Sequence, residues 1–364
     1  MKKNLLIPCN ILKSLISKYK SGLNQLGEIF IDEIDEKASG NLEEWINSLN
    51  LDEKESLPKV LKLIGTPNLL MNVGIVIEGD SLIRSWAISN DAYQGFIGIN
   101  ENKMLEINMI ENMTKLINSI MIYLDMAVPS AESNLAFKVG IDDMPTLFSL
   151  IDLHQRKKYS GMLDHTWLGE ELFLEDIEYF FKESVLNPDE RWLLPFSLDL
   201  FEVEEKSSEL ENSLQRLQTL KLLERKKEAW YFTPQGRTFA DSCINRISQM
   251  SLSVIDADVE GKLQKTECIL IRSNRTLWLF LKELGDNTML ITTLSGEKSG
   301  EFFNGLFSAE GIPREVGISQ EPEISKTVNK NKVGKAPAFC SNCGSILNPN
   351  KKFCNICGKK IINN

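Results

Sequence analysis

Long apolar runs are missing from this sequence of 364 residues. The most apolar helical stretch, near 117–124, is flanked by Lys115 and Asp125, whereas a bilayer-spanning helix needs about 20 predominantly apolar residues. We therefore expect no membrane-spanning segment. The N-terminal run 5–9 is followed by Lys13 and has no small-residue cleavage site before its cysteine, so the sequence does not predict an export signal.

Histidine is also scarce, with only His154 and His165 in the chain. Asp152 and Asp164 lie close to them in sequence, but the spacing fits neither a metalloprotease motif nor a nucleophile elbow. The acidic string 29–35 resembles a Walker B strand of ring-forming ATPases, yet no Gly-rich phosphate loop precedes it. The sequence therefore predicts no catalytic residue and no small-molecule substrate, and it favours a non-enzymatic protein.

Cysteine is sparse over the first 311 residues, where Cys9, Cys243 and Cys268 stand alone. Single cysteines without framework spacing are typical of a reducing compartment. We therefore expect a cytoplasmic protein in which these three residues act as small apolar filler.

The other four cysteines form two Cys-x2-Cys pairs with ten residues between the pairs: Cys340, Cys343, Cys354 and Cys357. Four thiolates in two such turns can surround one Zn²⁺, and a closed shell of four protein ligands leaves no position for a reacting water. Gly344 and Gly358 follow the pairs, and glycine can take the positive φ that each tight turn needs. The spacing therefore predicts one structural zinc ion.

The two pairs sit in a repeat, Phe-Cys-x2-Cys-Gly, that begins at Phe339 and again at Phe353. Residues 338–362 here resemble the short zinc ribbons of bacterial proteins, which implies a small two-hairpin unit with its tip at 348–352. The same four cysteines have three alternative interpretations. Disulfides would require an exported chain, a redox pair would adjoin a βαβ pattern, and the third is a rubredoxin-like iron centre.

Charge is divided unevenly along the chain. Residues 312–364 carry nine basic and three acidic residues, against 32 basic and 48 acidic in residues 1–311, so the tail is +6 and the body −16. The segment 312–337 is rich in Pro, Lys, Ser and Asn, which predicts a flexible linker to the ribbon at 338–364. An acidic body repels nucleic acid and anionic membranes. A protein partner is favoured, with the ribbon as a mobile contact module through Asn350, Lys351, Lys352, Lys359 and Lys360.

Two segments of the body share one pattern, three β-rich runs followed by a helix. The runs are 73–77, 82–88 and 95–99 before a helix at 110–126, and 267–271, 276–281 and 288–294 before a helix at 297–307. The second run of each carries a tryptophan, Trp86 or Trp278, which we expect in the core. The pattern predicts an α+β fold with a duplicated sheet-plus-helix body, one half in 1–140 and the other in 251–311.

Residues 141–250 between these halves are predicted to be mainly helical. A leucine-rich helix, the charged turn 224–228, the strand 230–232 and the sequence Thr-Pro-Gln-Gly-Arg at 233–237 follow one another. Residues 172–250 resemble a winged-helix unit, although Leu220 and Lys221 stand where the family usually has glycine. The resemblance implies phosphate contacts from six basic residues: Arg216, Lys221, Arg225, Lys226, Lys227 and Arg237. Six glutamates of the same segment oppose them, which favours protein contact over DNA binding.

These patterns predict a binding or adaptor protein with a zinc ribbon. The first alternative is a DNA-binding transcriptional regulator that uses the winged-helix-like unit and the basic ribbon together. The second alternative rests on the two-halved layout of helices, sheet and helix, which is similar to that of the substrate-binding chaperones of type VII secretion. That resemblance implies a chaperone for a secreted protein, although a zinc ribbon does not belong to the usual pattern of the family.

Overall fold

The computed structural model describes residues 5–34, 41–77, 83–100, 102–125, 130, 133, 135–166, 169–201, 209–257, 262–273, 275–282 and 287–306. The expected linker at 312–337, the expected ribbon at 338–364 and its four cysteines lie outside the described residues.

The first half of the body contains helices and then a run of strands. Its elements are β1 (Leu5–Pro8), α1 (Leu12–Lys18), α2 (Gln25–Ile34), α3 (Leu42–Ser48), α4 (Leu51–Gly65), β2 (Leu69–Ile77), β3 (Ile83–Ser89), β4 (Gln94–Ile99), β5 (Met104–Ile110) and α5 (Met113–Tyr123).

The second half repeats this order around a longer helical insertion. It begins with β6 (Phe137–Gly140) and α6 (Met144–Leu163). The insertion contains β7 (Leu172–Phe173), α7 (Leu174–Leu186), α8 (Leu193–Phe201), α9 (Leu210–Thr219), β8 (Leu223–Lys226), β9 (Ala229–Phe232) and α10 (Pro234–Ile244). The half closes with β10 (Arg246–Ala257), β11 (Leu263–Ser273), β12 (Leu277–Lys282), β13 (Thr288–Thr293) and α11 (Gly296–Leu306).

Ten of the described strands form one antiparallel sheet in the order β1-β5-β4-β3-β2-β10-β11-β12-β13-β6. Either edge of the sheet has a short strand that precedes a helix and pairs with the last strand of a four-stranded meander. An equivalent main-chain hydrogen bond follows the short strand at each edge. The N–H of Cys9 donates to the carbonyl of Lys103 at 3.1 Å, and the N–H of Ile141 donates to the carbonyl of Asn287 at 3.1 Å. The topology thus has the repeated order that a duplication predicts.

The two halves meet at the pairing of β2 with β10, which extends from Leu69 opposite Asp256 to Ile77 opposite Ser248. We call this pairing the seam. Serines alternate with Met250, Leu252 and Val254 along the first part of β10, and these apolar residues are buried. This period of two is the pattern of a strand with one face in the core.

Helices cover both faces of the sheet. On one face, α1, α2 and α4 pack on the first half, and the insertion together with α6 packs on the second half. On the other face, α5 and α11 cover the centre, where Ile120 and Phe302 lie in one apolar cluster with Met71 and Leu252. Fully burying one such side chain stabilises the fold by about 1.5–3 kcal/mol. The sheet is therefore the middle layer of three.

The insertion contains a three-stranded sheet, β7-β9-β8, between its helices. Thr233 connects β9 to α10: its side chain accepts from the N–H of Gly236 at 3.1 Å and donates to the carbonyl of Lys221 at 2.6 Å. Lys221 has a φ of 58°. A lysine thus occupies the left-handed conformation at the end of α9, a position that glycine commonly fills. The Thr-Pro-x-Gly-Arg sequence is the structural start of α10.

The predicted α+β class is confirmed, and each half of the large sheet has four meander strands rather than three. The sequence patterns did not identify β5 and β10, and β10 begins at Arg246, before the expected boundary at 250. Trp278 is buried as expected, with its ring edge against Phe239, and Trp86 is half-buried against Phe30.

The three single cysteines, Cys9, Cys243 and Cys268, are buried. Burial raises the pKa of Cys243 to about 12, and burial also raises the pKa of Cys268. Their interpretation as apolar filler agrees with this burial.

Candidate functional site

Helix α6 changes character along its length. Residues 144–153 are buried throughout, whereas Tyr159, Met162 and Leu163 are 41%, 65% and 80% exposed. Their spacing of three and four residues places these side chains on one side of the helix. The helix ends where His165 takes a φ of 52° and the next N–H, of Thr166, donates to the carbonyl of Gly161 at 3.0 Å. The last two turns therefore present apolar side chains to solvent.

A groove of about 520 Å³ lies beside these turns, between α6 and α10. Its lining residues are His154, Lys157, Lys158, Gly161, Met162, Thr166, Gly169, Glu170, Arg237 and Asp241. The charged groups form a rim of ion pairs: Arg237 pairs with Glu170, and Lys158 reaches Asp241 at 3.3 Å. Such exposed pairs contribute little to stability, so a ligand can displace them at low cost.

His154 is the most buried charged or titratable group of this groove. Its Nε2 lies 3.1 Å from Oδ1 of Asp241, and its ring packs edge-on against Phe232 at 5.4 Å between ring centres. The hydrogen bond from His154 holds the pKa of Asp241 below its ordinary value, and Lys158 acts in the same direction. His154 is therefore bonded to Asp241 of α10 and not to Asp152, its neighbour in sequence.

A second depression, of about 170 Å³, lies on the other flank of the exposed part of α6, at the end of the seam. We call it the seam pocket. It is lined by Val76, Ile77, Gln155, Tyr159, Arg191, Ile244, Arg246, Ile247, Ser248 and Gln249. Tyr159 and Arg191 are exposed and stand at its opening, and the other residues come from α6, α10, β2 and β10.

A buried ion pair adjoins the seam pocket, which its arginine lines. Asp152 is fully buried; its carboxylate accepts from the N–H groups of Leu193 and Leu194 at 3.1 and 2.8 Å and lies 3.4 Å from Nη1 of Arg246. Burial raises the pKa of Asp152, although Arg246 and the two N–H groups oppose this effect. Because those N–H groups belong to the start of α8, Asp152 caps a helix other than its own and ties α6, α8 and β10 together.

The basic residues expected to contact phosphate are mostly engaged by carboxylates. Arg216 forms a two-pronged ion pair with the buried Asp143, at 2.6 Å from Nη2 to Oδ1 and 2.9 Å from Nε. Its hydrogen bond with Asp143 raises the pKa of Arg216. The other pairs in the described part of the chain are Arg225 with Glu211, Lys226 with Glu224, and Arg237 with Glu170. Lys227 takes a φ of 57° in the β8–β9 turn. Four of the six basic residues are therefore paired with carboxylates of this chain.

The structure does not bring the histidines together. His154 lies in the groove, and His165 lies at the end of α6. Asp32 and Glu33 of the Walker-B-like string lie on the exposed side of α2, a helix rather than a strand. Within the described ranges, no group of three His, Cys, Asp or Glu side chains could hold a metal ion. Likewise, none of the described helices combines the length and the apolar character needed to cross a bilayer.

Sequence reasoning did not identify the exposed turns of α6, the groove or the seam pocket. The spacing of Tyr159, Met162 and Leu163 is also that of an ordinary buried helix face. The sequence therefore could not show whether these side chains are exposed or buried. Gln155 and Gln249 are 94 residues apart and meet only through the fold. The one sequence feature that could have indicated these sites was the change from apolar to charged residues midway along α6.

No protein-family model matches the sequence, and a search among curated proteins finds no match. Among solved structures, the chain is similar to a chain of the structure described as the Mycobacterium tuberculosis type VII secretion system chaperone EspG5 in complex with the PE25-PPE41 dimer. The TM-score is 0.43 at 8% sequence identity, over 87% of this chain and 98% of that chain. A likeness of this degree assigns neither a family nor a function.

Proposed function

We propose that this protein is a non-enzymatic adaptor that binds a partner protein through the exposed part of α6. The observation that carries the proposal is the exposure of Met162 and Leu163, 65% and 80%, on the last turn of a helix whose first half is fully buried. Exposed apolar side chains that cluster and are rimmed by polar groups are typical of protein-interaction sites. We call Tyr159, Met162, Leu163 and the adjoining groove the α6 surface.

The polar groups around the α6 surface suit binding better than catalysis. The rim pairs of Lys158 with Asp241 and of Arg237 with Glu170 can exchange with charges on a partner, as in the polar rim of an interface. His154 is bonded to a carboxylate and packs edge-on against an aromatic ring, and this arrangement positions the imidazole as part of the groove wall. The groove can therefore accept an apolar side chain while its rim orients the partner.

The C-terminal tail adds a second element to the proposal. Cys340, Cys343, Cys354 and Cys357 would hold one structural Zn²⁺, and the metal would supply most of the folding free energy of such a small unit. The lysines that accompany these cysteines give the tail its positive charge, which suits contact with an acidic surface of a partner.

DNA binding is the competing proposal, and the pairing of Arg216, Arg225, Lys226 and Arg237 with carboxylates opposes it. Phosphate contacts release counterions, so a DNA-binding protein would lose affinity steeply as the salt concentration rises, with a slope of about −0.9 per phosphate contact in a double logarithmic plot. We expect no such salt-dependent binding of duplex DNA by the full chain.

The test is affinity capture from the source cells with three versions of the full chain. Leu163→Glu places a charge on the α6 surface, and Ile122→Glu is the matched control, because Ile122 is 75% exposed on α5, against the opposite face of the sheet. We expect the partner with the wild type and the control and its loss with Leu163→Glu. Equal recovery by both variants would contradict the proposal. An exported protein as the partner would identify the adaptor as a secretion chaperone.

A further inference from the structure

The wall of the seam pocket contains polar atoms that have no partner within the protein. Among the described residues, Oε1 of Gln155 and Oε1 of Gln249 are buried and make no hydrogen bond. Both residues line the pocket, and neither is more than 7% exposed. Buried polar groups in folded proteins are almost always hydrogen-bonded. Two orphaned oxygens in one small pocket therefore indicate a hydrogen-bonding occupant.

The arrangement of this wall is fixed by the main chain around it. Nε2 of Gln249 donates to the carbonyl of Glu190 at 2.8 Å, so reversing the amide would bring two oxygens together. The register between β10 and β11 shifts between Arg246 and Ser248. Such an irregularity redirects side chains at a strand end. The pocket is thus a defined feature of the seam.

The charges around the pocket narrow the chemistry of the occupant. Arg191 and Arg246 both line it and are paired with Asp189 and Asp152. Their guanidinium groups offer only N–H donors, from which an ammonium or a second guanidinium could not accept. A carboxylate would be attracted to them but would face the orphaned oxygens of Gln155 and Gln249, acceptor against acceptor. A neutral group that both donates and accepts hydrogen bonds can satisfy the glutamine oxygens and the guanidinium N–H groups together.

A primary carboxamide has the required complement of donors and acceptors. Its NH2 carries two donors, one for each glutamine oxygen, and its carbonyl oxygen can accept from a guanidinium. A hydroxyl or a peptide N–H offers only one donor. The cavity of about 170 Å³ has room for the end of one Asn or Gln side chain.

We propose that the seam pocket binds a primary carboxamide, presented as an Asn or Gln side chain by the protein that occupies the α6 surface. The inference rests on the proposed function for the identity of the occupant, since Tyr159 belongs to both sites. The carboxamide pocket itself exists with or without the partner.

The experiment is a ligand-observed NMR titration of the full-length protein with propionamide, and with propionate and 2-butanone as analogues of similar shape. We expect propionamide to bind and each analogue to bind at least about tenfold more weakly, because a site built for hydrogen bonds rejects a molecule that lacks them. Gln155→Met should abolish the preference. Gln215→Met, at an exposed position of α9, should keep it and controls for the substitution.

Equal binding of propionamide and propionate, or no binding of propionamide, would overturn the proposal. So would a crystal structure grown with propionamide in which only water molecules contact Gln155 and Gln249. Because the titration needs no partner, a negative result would not bear on the proposal for the α6 surface. Conversely, capture of the partner by Leu163→Glu would refute the α6 surface while a positive titration kept the pocket.

Discussion

Gly236 of α10 lies so close to Leu222 that a Cβ on the glycine would be 2.0 Å from the Leu222 carbonyl oxygen. The contact fixes the start of α10 against the end of α9, next to the hydrogen bonds of Thr233. No side chain larger than hydrogen fits without moving main chain. The helix that carries Arg237 and Asp241 of the groove is therefore positioned by a glycine.

We predict that Gly236→Ala destabilises the protein by about 2–4 kcal/mol, because main chain must move to admit the methyl group. Gly300→Ala is the matched control, since Gly300 lies in α11 with no atom within 4 Å of a Cβ. The control should stabilise by about 0.5–1 kcal/mol through helix propensity. Urea unfolding measures both free energies. Similar free energies for the two variants would show that the close contact is not maintained.

Removal of the Asp152 carboxylate should be among the costliest single changes in the chain. Asp152→Ala leaves Arg246 buried without its partner and two N–H groups of α8 unsatisfied, so we expect a loss of about 3–5 kcal/mol in unfolding free energy. Glu211→Ala, which breaks the exposed pair with Arg225, should cost at most about 1 kcal/mol. Thermal and urea denaturation would reveal the contrast, and equal costs would contradict it.

Acid should selectively remove the contribution of Asp241. Its pKa in the folded protein is lowered, first by the hydrogen bond with His154, so the carboxylate contributes stability above its unfolded value of about 4. That contribution is lost as the pH falls through the folded pKa. The unfolding free energies of the wild type and Asp241→Asn should therefore converge below about pH 4. In a His154→Phe background the pH-dependent difference should be smaller; a difference independent of pH would contradict the account.

Zinc should depend on the four tail cysteines and on no others. We expect about one zinc ion per full-length chain, a large loss of zinc in Cys354→Ser, and no loss in Cys243→Ser. Elemental analysis after gel filtration measures the stoichiometry. Chelation should leave the unfolding of the body unchanged, because residues 1–311 contain none of the proposed ligands. Retention of zinc by Cys354→Ser would rule out the four-cysteine site.

Local sequence patterns predicted the elements whose contacts are local. The runs around Trp86 and Trp278 were predicted to be strands because β-rich residues flank short turns. The sequence Thr-Pro-Gln-Gly-Arg at 233–237 predicted the start of a helix. The helical prediction for 141–250 was wrong from Arg246 onward, because the alternation of Met250, Leu252 and Val254 with serine was overridden by the helix signal before it. The strand owes its existence to pairing with β2 and β11, which are distant in sequence.

The proposed binding surfaces depend even more on long-range contacts. Asp152 and Arg246 are 94 residues apart, and no local pattern relates a carboxylate on a helix to an arginine at a strand end. Whether Leu163 is exposed or buried depends on which other elements pack over the end of α6, and that is a property of the whole fold. The cysteine pairs are the opposite case, since the predicted zinc site depends only on residues that lie close together in sequence.

Site-specific photocrosslinking in the source cells tests the central claim most directly. A photoreactive amino acid would replace Leu163 on the α6 surface in one version of the full chain and Ile122 on α5 in another. We predict a discrete crosslinked protein from position 163 and none from position 122, with loss of the crosslink when Met162→Glu is added. The same crosslink from both positions, or from position 122 alone, would contradict binding through the α6 surface.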